Sequence, residues 1–149
     1  MATTLTATDL GVTITESINL NDYEQGSTNS FIISSINEIS KRIVTVPQTA
    51  TDIILFGTSI ANGTYITADV RYIRLTNLDD ENYIVLNIET GSVFSIRLDP
   101  GASFIITSTS STGVAAYADT AGSTLEDLVK IQATANNSSC DIEIFLASA

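Results

Sequence analysis

The chain has 149 residues, of which 17 are acidic and 6 basic, with no histidine, so its net charge near neutrality is −11. The bases Lys41, Arg42, Arg71, Arg74, Arg97 and Lys130 are scattered, which argues against the positive stripe that nucleic-acid binding needs. No run approaches the roughly 20 apolar residues of a membrane-spanning helix, and without histidine the commonest general base and metal ligand are missing.

In a compact fold a chain of this size exposes about 7,300 Å² and buries roughly two-thirds of its unfolded surface, enough for one core without disulfides or metal. Residues 1–11 are Thr/Ala-rich and carry no basic residue, which predicts a flexible N-terminal arm and no Sec export signal. Residues 12–149 are expected to form a single domain.

Ile outnumbers Leu by 20 to 11, and this β-branched bias suits pleated sheets. Alternation begins at Val12, Ile14, Ile18 and Leu20, with Thr13, Thr15, Ser17 and Asn19 on the other face, and predicts a half-buried strand. Further strand-like runs lie at 31–36, 39–46, 52–57, 70–77, 83–89, 92–98, 103–107, 128–134 and 141–147. Between them, Pro47 ends one run, Asn62-Gly63 fits a type I′ hairpin turn, Glu89 to Ser92 a short hairpin loop, and Asp99-Pro100-Gly101 a proline turn. In the run 84–89, Ile84, Leu86 and Ile88 share one face, answered by Phe94, Ile96 and Leu98 from the next strand.

About ten short strands with frequent turns predict an all-β fold, an antiparallel β-sandwich of jelly-roll or Greek-key type. Its core is expected to hold Ile73, Leu75, Ile84, Leu86, Ile88, Phe94, Ile96, Ile142, Ile144 and Leu146. Only 120–130 reads as helical, where Thr124, Glu126 and Asp127 precede Leu128 and Val129; an irregular loop leading into a strand is the alternative. The single Cys140 reads as apolar filler beside the last strand.

Two segments fit a sandwich poorly. The uncharged opening strip contains Leu5 and Leu10, and the long loop 108–122 contains Val114, Ala115, Ala116 and Tyr117. Apolar letters in a long loop are read either as a contact surface or as a lid folded over the chain's own core. As a contact surface they predict a symmetric homo-oligomer, a trimer as first choice, with an interface at Leu5, Leu10, Val114, Ala115, Ala116 and Tyr117.

Catalytic readings find little support. No Ser-His-Asp or Cys-His set can form, and Asp79-Asp80-Glu81 reads as solvated turn acids better than as a glycosidase pair or a calcium site. Asn62-Gly63-Thr64, Asn136-Asn137-Ser138 and Asn137-Ser138-Ser139 match the glycosylation pattern but read as turns. Sugar binding through loop Asp, Asn and the tyrosines 23, 65, 72, 83 and 117 is the principal non-structural rival. The chain is therefore expected to be no enzyme and to need no cofactor.

The stretch Ala68-Asp69-Val70-Arg71-Tyr72-Ile73-Arg74-Leu75-Thr76-Asn77-Leu78-Asp79, with Tyr83 to Ile88, Leu98-Asp99-Pro100-Gly101 to Ile106 and the ending Asp141-Ile142-Glu143-Ile144-Phe145-Leu146-Ala147-Ser148, resembles small virion structural proteins of tailed phages, especially phages of marine cyanobacteria. The resemblance covers about residues 39–149. It implies a β-sandwich virion component assembled in the host cytoplasm, most simply a capsid decoration or cement protein. Its partners would be its own copies and the major capsid protein or other virion proteins. A sugar-binding adhesin of a tail or spike, and a neck or connector component, are the alternatives. The acidic balance fits a position away from packaged DNA.

Overall fold

The computed structural model describes residues 5–116 and 124–149. Four strands come first: β1 (Thr8–Glu16), β2 (Asn19–Leu20), β3 (Tyr23–Glu24) and β4 (Ser27–Ile36). They are followed by β5 (Glu38–Val46), β6 (Thr51–Gly57), β7 (Thr64–Ile66), β8 (Val70–Asn77), β9 (Ile84–Glu89), β10 (Val93–Leu98) and β11 (Ser103–Thr107). Two-residue strands β12 (Ala115–Ala116) and β13 (Glu126–Asp127) precede β14 (Lys130–Ala135) and β15 (Cys140–Ser148).

The body is an antiparallel β-sandwich whose pairing is nested. β5 pairs with β15, β6 with β14, β8 with β11 and β9 with β10, as in one long hairpin folded at its middle. That hairpin is rolled, so that β15 also meets β8 and β14 also meets β9. The result is two sheets, β5-β15-β8-β11 and β7-β6-β14-β9-β10, the strand order of a jelly roll. Strand β7 is an addition at one edge and runs parallel to β6.

Alternation decides which side chains face inward. Ile73 and Leu75 on β8, Ile84, Leu86 and Ile88 on β9, Ile131 and Ala133 on β14, and Ile142, Ile144 and Leu146 on β15 are buried in one cluster between the sheets. Phe94 and Ile96 on the edge strand β10 are half-buried against it. Cys140 opens β15 inside the same cluster, the apolar-filler role expected of it.

Local chemistry explains several departures from the sequence reading. Asn62-Gly63 is not a hairpin turn: only Gly63 has a positive φ, 76°, and the strands it joins run parallel. At Asp99-Pro100-Gly101 the Ala102 amide donates to the Asp99 carbonyl at 3.0 Å and Gly101 has φ 71°, the requirements of a type II turn. It carries the chain between sheets rather than closing a hairpin, because β10 and β11 lie in different layers. No helix forms over 124–130; Glu126 and Asp127 are strand residues paired with Ala116 and Ala115. Among the described residues the one helical turn is a 3-10 turn at Thr67–Asp69.

The largest departure is at the start. The strand read through Leu20 ends at Glu16, and β1 joins β4 in a two-stranded hairpin that makes no ladder with either sheet. Total accessible surface is 8869 Å², above the roughly 7,300 Å² of a compact chain of this size, and a projecting hairpin raises it in that direction.

Candidate functional site

The hairpin is the most distinctive surface of the molecule. Its inner side carries Leu10 and Val12 opposite Ile33 and Phe31. Ile33 and Ile36 are buried with Tyr72 and Ala147 from the outer face of the β5-β15-β8-β11 sheet, and Leu10, Val12, Phe31, Ile105 and Phe145 surround them. Tyr72 and Phe145 meet edge to face at 5.9 Å, and burial raises the Tyr72 hydroxyl above its ordinary pKa. Side-chain packing at the base is thus what fixes the hairpin to the sandwich. A register shift between Thr8 and Leu10, and a left-handed Ser35 (φ 67°), bend it at that base.

Toward the other end, the outer side is polar except for Ile32. Thr13 and Ser30 hydroxyls lie 3.0 Å apart and Thr15 and Thr28 hydroxyls 3.3 Å. The tip turns at Asn21-Asp22, both left-handed (φ 51° and 68°), as a type I′ turn requires. Glu24 holds the neck of the tip by accepting from the Gly26 amide at 2.7 Å and the Ile18 amide at 3.2 Å. The side chains presented there are Ile18, Leu20 and Tyr23, the last 72% exposed.

Of the interface residues read from sequence, the structure brings few together. Leu5 is exposed at 76% and Leu10 lies half-buried on the hairpin's inner side. Val114 is 1% exposed and belongs to the chain's own core, which is the folded-back alternative; its amide donates to the Val70 carbonyl at 3.1 Å. Ala115 and Ala116 are half-buried in β12. Tyr117 lies outside the described residues. Val114 is inward because the loop runs along the start of β8, where the Ser108 amide also bonds the Arg71 carbonyl. The sequence reading missed the exposed tip and Ile32; the Asn21-Asp22 pair between Leu20 and Tyr23 was the signal that could have found them.

A second feature is a cleft of about 540 Å³ where the β5 and β7 edges meet. Glu38, Arg42, Asn62, Tyr65 and Asp69 line it, with Ile60, 91% exposed, at its rim. Glu38 accepts a hydrogen bond from Ser148 at 3.2 Å, and the Arg42 guanidinium donates to the Ile53 carbonyl. Tyr65 packs against the core, so only part of its ring borders the cleft.

At the opposite end of β15 lie Asp79, Asp80 and Asp141. The Asp79 carboxylate accepts from the amides of Asn82 at 2.5 Å and Glu81 at 2.9 Å, and these bonds hold its pKa below the usual carboxylate range. Buried Asn77 braces the same turn, donating to the carbonyls of Asn82 and Leu98 and accepting from the Asp79 amide. Asp79 is thereby occupied as a turn brace. Among the described residues no three His, Cys, Asp or Glu side chains are grouped to hold a metal. Compared with protein-family models, with curated proteins and with solved structures, the chain finds no match.

Proposed function

We propose that this chain is a non-enzymatic structural component of a tailed-phage particle, a capsid decoration or cement protein whose hairpin is its assembly arm. The observation that carries the reading is the hairpin itself. A two-stranded ribbon is marginal in water, and this one projects exposed Ile18, Leu20 and Tyr23 from a sandwich whose main core contains no hairpin residue. An assembly part needs that division of labour: a body that folds alone and an arm that gains order against a neighbour. The sequence resemblance of residues 39–149 supports the particle context, and the charge of −11 opposes random clumping of copies before assembly. The test is mass spectrometry of purified particles with copy counting against the major capsid protein. A copy number comparable with that of the capsid protein is expected. A count fitting a single ring would mean a neck or tail component, and absence from the particle would overturn the reading.

The cleft between β5 and β7 favours a second reading, a sugar-binding adhesin. Glu38, Arg42, Asn62 and Asp69 supply the hydrogen-bonding groups and Tyr65 a partial apolar wall. A glycan array decides it: retained glycans whose binding is lost in Arg42→Ala would move the function to this cleft.

A further inference from the structure

The hairpin's outer strand has an open edge, and we infer that it is completed by β4 of a second copy of this chain, pairing antiparallel about a two-fold axis. The inference deepens the reading of the hairpin as an assembly arm, but its test needs no particle.

The first ground is the backbone. Among the described residues β4 forms a ladder only with β1, so the N–H and C=O groups along its other side have no strand partner there. Among the described residues, Ile32 to Ser35 border a groove of about 300 Å³ whose other wall is Arg71, Thr109, Ser111 and Ala149, and no strand of the chain pairs with β4 across it. Natural edge strands are normally blunted by charge, proline or shortness. β4 has ten residues and none of these devices.

Charge selects the occupant. Two copies each carrying −11 repel wherever acidic surfaces meet, and pairing is least opposed where neither brings charge. Residues 25–37 contain no charged side chain at all. The other long edges differ: β1 carries Asp9 and Glu16, β5 carries Glu38, Lys41 and Arg42, and β10 carries Arg97. The uncharged edges β11 and β7 have only five and three residues.

The sequence of β4 also complements itself. Ser30-Phe31-Ile32-Ile33-Ser34 reads nearly the same in both directions, so an antiparallel two-fold can set Ser30 against Ser34, Phe31 against Ile33 and Ile32 against its own copy. Directly opposed aliphatic and aromatic pairs are the favourable ones in a sheet. Ile32, 63% exposed on the outer side, would then be covered. Four strands, β1-β4 and their mates, replace a ribbon that is marginal alone.

Sedimentation equilibrium of the full chain over a dilution series tests this. The parent is expected to dimerise, and more tightly as salt screens the net charge. Ile32→Lys places like charges together at the axis and should weaken dimerisation by roughly tenfold or more. Val93→Lys, the same change on β10 of the other sheet, where Val93 is 53% exposed, should leave it unaltered. Hydrogen exchange guards against misfolding of the variant: in the parent, β4 amides should gain protection with concentration while β9 amides do not change. A parent that stays monomeric, dimerisation that salt weakens, or Ile32→Lys dimerising like the parent would each overturn the pairing. A chain that is monomeric yet abundant in particles would remove this inference and leave the structural role standing.

Discussion

Leu86 sits on β9, an interior strand between β10 and β14, with no exposed surface, between neighbours Ile84 and Ile88 that are equally covered. Leu86→Ala should cost about 2 to 5 kcal/mol in a urea titration, because a site enclosed by two sheets collapses only partly around the lost atoms. Glu143 makes a different kind of contribution. It faces Arg74 at 2.5 Å and Lys41 at 3.6 Å on the outer side of β15. The Arg74 hydrogen bond, helped by the charges of Arg74 and Lys41 against partial burial, holds its pKa below the ordinary carboxylate value. A depressed folded pKa gives stability that is full above the unfolded value of about 4.3 and is lost as the pH falls through the folded one. Glu143→Gln should therefore lower the urea midpoint at neutral pH, and the gap from the parent should close as the medium is acidified below about pH 4. A gap that stays constant would mean the contribution is packing and not charge. For Cys140, burial first and the nearby Asp79 charge second raise the thiol pKa, which keeps it in the unreactive protonated form.

Individual elements differ in how openly the letters announce them. Strands β9 and β10 were legible because alternation is dictated by one face packed on the core and one facing outward. β8 and β15 keep the same period in their inward Ile73, Leu75, Ile142, Ile144 and Leu146, although the hairpin covers part of their other face. The β6–β7 connection was not, because Asn-Gly specifies a turn but not the direction in which the next strand runs. The loop before β12 was half legible: its apolar letters were plain, but whether Val114 faced a neighbour or its own core depended on Gly113. There φ is 81° and an added Cβ would meet the Thr67 carbonyl oxygen at 2.2 Å, so only glycine lets the loop close over β8. Gly101 has a similar φ of 71° but open space around it. Gly101→Ala should thus cost about 1 to 2 kcal/mol, the penalty of a left-handed alanine. Gly113→Ala should cost clearly more, since it adds a backbone clash, and a thermal melt of the two variants side by side measures the difference.

At the scale of the whole molecule, the sandwich followed from period and turns, whereas the hairpin was hidden because its strands alternate as sandwich strands do. Nothing local distinguishes Leu10, Val12 and Ile33 covering the outer face of a finished sheet from the same residues inside the sandwich. Only the sheet order separates them, and sheet order is set by long-range pairing. That arrangement makes the hairpin separable. The main core draws on residues from Val46 to Leu146 and includes none before β5, and β5 is bonded to β15 along its full length. A chain beginning at Glu38 should consequently fold to the same jelly roll, with a β-type circular dichroism spectrum and one cooperative transition. It should be less stable than the whole chain by about 3 to 6 kcal/mol, the burial of two aliphatic side chains the size of Ile33 and Ile36. The newly bared Tyr72 and Ala147 should show as increased dye binding, and the dimer should vanish with β4. If the shortened chain is instead molten or insoluble, the hairpin is an integral wall of the fold, and its role as a separable assembly arm falls.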